Sequence, residues 1–161
     1  MTERDQVAED IARRLVERQE SVAVAESSAG GLIAAALLGV SGASAYFRGG
    51  VVVYEANGKQ RLAGMPLTEI EANRSSTAPH TAALARALRE RLGSTWVIAE
   101  TGAAGPTGNR YGDAAGHVAL AVSGPIERTQ VVETGDADRR RNMETFALAA
   151  LRLLNAAIQE K

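Results

Sequence analysis

Four short stretches of the chain carry groups able to do chemistry. Glu26-Ser27-Ser28 stands directly before Gly30-Gly31, Gly42-Ala43-Ser44 forms a second hydroxyl-bearing turn, and Thr101-Gly102 opens a segment punctuated by Gly105-Pro106 and Gly108. The fourth stretch places Tyr54 five residues before Lys59. A serine hydroxyl attacks a carbonyl only when a base takes its proton, and a lysine serves as that base once desolvation or neighbouring cations lower its pKa. Ser–Lys pairs are one attested form of this chemistry. The sequence alone does not bring Lys59 to any particular serine. Each stretch also has a plainer reading: a serine before a helix caps it, a glycine run is a loop, and a lysine after a strand is solvated. None of the glycine stretches fits a phosphate-loop or dinucleotide fingerprint.

Other charged groups are weighed in the same way. Glu26 either holds hydroxyl and amide donors in place or caps the helix that follows. In Arg139-Arg140-Arg141 one guanidinium can bind a phosphate bidentately, although a solvated helix face is the plainer reading. His80 and His117 stand 37 residues apart without ligand spacing, so no metal site is expected, and His117 reads as a packed residue or a pocket wall.

These groups need a scaffold, and the apolar pattern supplies one. Residues 3–19 read as an amphipathic helix started by Thr2 and Asp5, with Val7, Ile11 and Leu15 at spacing four. Val22 to Ala25 is an apolar run of strand length, followed by a helix over about 29–38 closed by Gly39. Residues 41–47 read as a turn pinned by Phe47, and Gly49 to Tyr54 as a strand. A short helix carrying Leu62 and Met65 follows, while residues 67–76 give no assignable pattern. Leu84, Leu88 and Leu92 mark a helix over 77–92, residues 95–99 form a buried strand, and residues 101–113 read as a loop. Residues 117–122 and 128–132 pair as a hairpin before a last helix starting near Asp136 to Asp138. Helices alternating with strands, plus one hairpin, predict an α/β fold, a three-layer α/β/α sandwich with a mixed sheet, in one domain over residues 1–161.

Composition excludes several functional classes. The formal net charge of −1 gives no general attraction to nucleic acid or a membrane surface, so neither partner is expected. Without cysteine there is no thiol nucleophile or thiolate ligand. The charged start of the chain lacks the apolar core of a signal peptide and no apolar run has membrane-spanning length, which reads as cytoplasmic.

Taken together, Ala25-Glu-Ser-Ser-Ala-Gly-Gly31, Gly42-Ala-Ser-Ala-Tyr-Phe47, Gly50-Val-Val-Val-Tyr54 with Lys59, and Thr101-Gly-Ala-Ala-Gly-Pro106 resemble the CinA C-terminal domain family, the nicotinamide mononucleotide deamidases. The resemblance runs through nearly the whole chain. It implies hydrolysis of the carboxamide of nicotinamide mononucleotide to nicotinic acid mononucleotide and ammonia, without metal or cofactor, on a small-molecule nucleotide substrate. Carried over by motif, it implies Ser44 as nucleophile, Lys59 as its base and Tyr54 orienting the proton. Glu26, Ser27, Ser28, Gly30, Gly31, Thr101 and Gly102 are then expected to hold the substrate, with Arg140 at its phosphate. A small Ala-rich enzyme of this kind is expected to be a homo-oligomer. The chain departs from the family pattern at Ser28-Ala29, where Cys-Thr is common, at Glu55 to Gly58, and at Arg74-Ser75-Ser76. These departures keep open an amide other than the nicotinamide nucleotide, or nucleotide binding without turnover.

Overall fold

In the computed structural model, which describes residues 1–161, Thr2 starts the chain with a capping box: its hydroxyl accepts from the Asp5 N–H while the Asp5 carboxylate accepts from the Thr2 N–H. The helix it starts, α1, spans Glu3–Arg18 and buries Ile11 and Leu15. All five residues of β1, Val22–Glu26, are buried, the pattern of a strand covered on both faces. A tight turn through Gly30 and Gly31, at φ 66° and 102°, leads to α2, Leu32–Leu38. A β-carbon on Gly30 would lie 2.8 Å from Met143 Cε, so the turn is closed against the last helix. A single 3-10 turn, Ala43–Ala45, precedes β2, Phe47–Val52.

Three helices connect β2 to the middle of the sheet: α3 (Ala56–Arg61), α4 (Leu67–Ala72) and α5 (Ala78–Leu92). Next come β3 (Trp96–Ala103), β4 (His117–Ser123), β5 (Arg128–Glu133) and α6 (Arg139–Glu160). The sheet order is β2-β1-β3-β4-β5, with β1 parallel to β2 and β3, and β4 antiparallel to β3 and β5. This is the mixed-sheet α/β/α sandwich the sequence predicts. One core joins Ile11, Leu15, Ile33, Leu37, Phe146 and Leu151 from α1, α2 and α6. The other face buries Met65, Leu84, Leu88 and Val97 under α5. No helix is long and apolar enough to cross a membrane.

Three local differences matter for the site. The strand β2 runs from Phe47 to Val52, two residues earlier at each end than its β-prone run, and leaves Tyr54 beyond the sheet. The unassigned segment contains α4, whose six residues are too few to show a period. The strand β3 continues through Thr101 to Ala103, where a loop is expected from Thr101 onward. Gly102 permits this, because a β-carbon there would stand 2.6 Å from the His117 carbonyl oxygen and 3.0 Å from Val118 Cα. Gly102→Ala is therefore expected to force β3 and β4 apart and to cost about 1–3 kcal/mol, seen as a lower urea midpoint at unchanged m-value. An unchanged midpoint would contradict this close approach.

Candidate active site

After β1 the chain turns into α2 on one face of the sheet, and after β2 it turns through α3 toward α5 on the other. Neighbouring parallel strands whose connections leave to opposite faces open a crevice beyond their carboxyl ends. A cavity of about 500 Å³ lies there, with Ser27 from the end of β1, Tyr54 and Lys59 from the segment after β2, and Gly102 from β3. Ser75 and His80 from the turn and start of α5 line it as well, with Arg110 and Tyr111 at its mouth.

Lys59 is the central group. Its side chain is only 3% exposed, and Nζ lies 3.0 Å from Ser75 Oγ and 2.9 Å from His80 Nε2. Burial lowers the Lys59 pKa to about 8, with the nearby Glu100 carboxylate working in the opposite direction. The tautomer of His80 follows from its other contact: Nδ1 lies 2.9 Å from the Asn73 carbonyl oxygen, which can only accept, so Nδ1 carries the proton and Nε2 presents a lone pair to Lys59. Burial, then the Lys59 charge, holds the His80 pKa down at about 4.

Two buried carboxylates shape the turn after β1. Glu100 accepts from the Ser27 and Ala29 N–H groups at 2.9 Å each and from the Ser28 hydroxyl. Glu26 accepts from the N–H groups of Gly31, Ile33 and Ala34. Burial pushes both carboxyl groups above their ordinary pKa. Glu26 thus caps the start of α2 from within, and the Gly31 N–H is already committed to it. The Gly30 N–H likewise bonds the Ser27 carbonyl. What the turn offers outward is the Ser27 hydroxyl, half-buried at the cavity wall, with its own backbone N–H tied to Glu100.

The far wall is a strap between β3 and β4. Asp113 pairs bidentately with Arg74 at 2.8 and 3.1 Å, and the guanidiniums of Arg74 and Arg110 each lie 5.0 Å from the centre of the Tyr111 ring. His117 holds the strap's base, with Nε2 2.7 Å from the Ser76 carbonyl and Nδ1 bonded to Glu133. Burial disfavours its imidazolium, but those bonds and the nearby Asp113 outweigh it and raise the pKa. The stability this supplies is present below the ordinary histidine value of 6.5 and is lost as pH rises through the raised one.

Of the residues expected at the site, Ser27, Tyr54, Lys59 and Gly102 line this cavity. Ser44 does not pair with Lys59. It sits in the 3-10 turn before the amino end of β2, where the Tyr46 carbonyl accepts from Val22 at the start of β1, whereas Lys59 lies past the carboxyl end of β2. Thr101 is fully buried; its Oγ1 accepts from the Ser76 N–H at 3.1 Å and bonds Thr81 Oγ1 at 2.8 Å, making it a post for the Ser75-Ser76 turn. Glu26 and Ser28 are internal braces, as described. Arg140 lines a separate cleft with Leu32, Met143 and Thr145. The sequence reading misses Ser75, His80, Arg110 and Glu100. Only Glu100 leaves a signal there, as a lone carboxylate directly after the apolar run Val97 to Ala99. A further cleft of about 490 Å³ beside Arg86, Ser94 and Ser123 lies at the opposite end of the sheet and has no buried base.

The fold and this cavity define an α/β/α domain with a desolvated lysine and accessible hydroxyls at the carboxyl ends of its parallel strands. Residues 4–158 match the CinA C-terminal domain, and the chain belongs to that family. A CinA-like protein of Anaeromyxobacter sp. (strain K) is 37% identical over 156 residues, covering 97% of this chain and 38% of the relative. One from Parasynechococcus marenigrum is 37% identical over 151 residues, covering 94% of this chain and 36% of the relative. The chain therefore spans well under half the length of these relatives. Among solved structures, the competence/damage inducible protein CihA of Agrobacterium tumefaciens superposes with a TM-score of 0.90 at 26% identity, covering 98% of this chain and 96% of that one. A competence-damaged protein (CinA) superfamily protein of Klebsiella pneumoniae reaches 0.92 at 22% identity, covering 99% and 100%, and shares the fold.

The buried amine carries a stability cost that can be measured. Lys59→Met is expected to raise stability at pH 7 by about 1–3 kcal/mol. Between pH 8 and 10.5 the unfolded chain holds the lysine proton that the folded chain has released, so wild-type stability rises with pH and the gap closes. Urea unfolding at pH 7 and pH 10 checks this, and a destabilised variant at pH 7 would contradict it.

Proposed function

We propose that this domain is an amidohydrolase that converts nicotinamide mononucleotide to nicotinic acid mononucleotide and ammonia, with Ser27 as nucleophile and Lys59 as base. The observation carrying the proposal is the buried Lys59 amine, with its pKa lowered to about 8, in one cavity with the Ser27 hydroxyl at the end of β1. A lysine tuned to this range has a useful fraction of free base near neutral pH, as general-base catalysis requires.

In the proposed reaction Ser27 Oγ attacks the carboxamide carbon and its proton passes to Lys59 Nζ. The tetrahedral intermediate collapses with cleavage of the C–N bond, Lys59 returns the proton to the leaving nitrogen, and ammonia departs. Water then attacks the Ser27 ester, giving its proton to Lys59; the ester C–O bond breaks, and the proton returns to Ser27. Ser75 Oγ accepts from Lys59, so its own O–H is free to donate to the carbonyl oxygen that gains charge. Tyr54, 67% exposed at the cavity wall, offers a ring face to the planar substrate. With Arg74 paired to Asp113 and Arg140 elsewhere, Arg110 is the cation available to a phosphate.

Purified protein incubated with nicotinamide mononucleotide is expected to release ammonia, with kcat/KM rising as pH passes through about 8 and then levelling as Lys59 becomes neutral. Ser27→Ala should lose at least about 1,000-fold in kcat, while Ser44→Ala stays near wild type. Absence of ammonia release from the wild-type protein, or equal losses in the two variants, would overturn the assignment.

A further inference from the structure

We propose that His80, acting with Ser75, is the positioning residue that aims Lys59 at the reacting serine: His80 Nε2 and Ser75 Oγ take two Nζ hydrogens and leave one tetrahedral direction of the amine for chemistry. This rests on the reading of Lys59 as the base. A neutral amine has two hydrogens and one lone pair. With acceptors at 2.9 and 3.0 Å from Nζ, both hydrogens are committed. The lone pair is then confined to the direction that remains, and loss of the third proton changes no other contact. Such an arrangement avoids reorganisation at the moment of proton transfer.

His80 suits the task for reasons that lie in its surroundings. It is 1% exposed, so its ring does not swing into solvent. The Asn73 carbonyl fixes its tautomer, and the Thr77 hydroxyl accepts from its backbone N–H at the start of α5. A helix N-terminus disfavours a positive charge, which helps to keep the imidazole a pure acceptor. An apolar residue here would leave one Nζ hydrogen unsatisfied in a buried site, and a carboxylate would pin the amine in its charged form. The charged and titratable groups around Nζ are Glu100 from β3, His80 from α5 and, along the cavity wall, Glu55, Arg74, Arg110 and the two phenols of Tyr54 and Tyr111. Of these, only His80 is within hydrogen-bond reach of Nζ.

The test exploits the chain's two lysines, Lys59 and Lys161, whose side-chain signals in isotopically labelled protein are separable by NMR. His80→Phe keeps a ring but removes the acceptor. It is expected to move the Lys59 titration midpoint down by roughly one pH unit, since the ammonium loses a partner. It should also lower kcat on nicotinamide mononucleotide by about 10- to 100-fold with KM little changed, the mark of misaimed rather than missing groups. The rising limb of the pH profile should move with the NMR midpoint. His80→Gln, which restores an acceptor, should recover most of both effects. An unchanged Lys59 midpoint in His80→Phe, or equal losses in the Phe and Gln variants, would overturn the proposal. If His80→Phe does not fold, Ser75→Ala removes the other acceptor and must shift the same midpoint. The NMR arm needs no turnover, so a shift in a protein that does not hydrolyse the nucleotide would uphold the cradle and reject the amidase reading instead.

Discussion

The Glu100 carboxylate is sealed between β3 and the turn that follows β1, and its two oxygens are filled by the Ser27 N–H, the Ala29 N–H and the Ser28 hydroxyl. A buried carboxyl group is tolerated only with such a set of donors, because an unpaired one would cost several kcal/mol. The bonds therefore fix the path of the turn as firmly as they satisfy the acid. Ser27 is left with its backbone tied inward at the wall of the cavity. The same carboxylate favours the Lys59 ammonium against the burial that lowers its pKa. One residue thus sets the geometry on one side of the crevice and moderates the electrostatics on the other.

The remaining architecture completes that crevice. Parallel pairing of β1 with β2, from Val22 opposite Phe47 to Glu26 opposite Val52, brings their carboxyl ends together. Opposite exits through α2 and α3 keep the space between them open. Glu26 ties down α2 from within, so the helix start is a fixed wall and not a vacant anion site. Across the cavity, Thr101 and His117 both hold Ser76, one through its N–H and the other through its carbonyl, which sets where Ser75 and His80 meet Lys59. The polar network therefore runs from β1 through β3 and β4 to α5, and each link is a buried or half-buried hydrogen bond.

Much of this scaffold is legible from patterning alone. Val22 to Ala25 reads as a strand because it is a bounded apolar run, and the apolar stripe of α6 from Met143 to Ile158 marks its helix. What the pattern cannot carry is which end of a strand a serine occupies. Ser44 and Ser27 both stand in glycine-flanked turns, yet Ser44 lies before β2 and Ser27 leaves β1, and only the parallel pairing reveals that these are opposite ends of the sheet. Tyr54 and Lys59 are found through the family motif that sets them five residues apart, because the apolar pattern alone leaves Lys59 a solvated lysine after a strand. His80 meets Lys59 from 21 positions away through a turn without periodicity, and Arg110 reaches the mouth on a loop, so neither has a local signal. Glu100 is the case where a signal existed: a lone acid next to an apolar run marks a burial that some donor must satisfy.

In the proposed reaction Lys59 activates Ser27 and no other serine. Treatment at pH 8.5 with a serine-directed fluorophosphonate, followed by peptide mapping by mass spectrometry, tests it without assuming a substrate. A single adduct on Ser27 that is lost in the Lys59→Met protein is expected. An adduct on Ser44 or Ser75, or labelling of Ser27 that persists without Lys59, would contradict it.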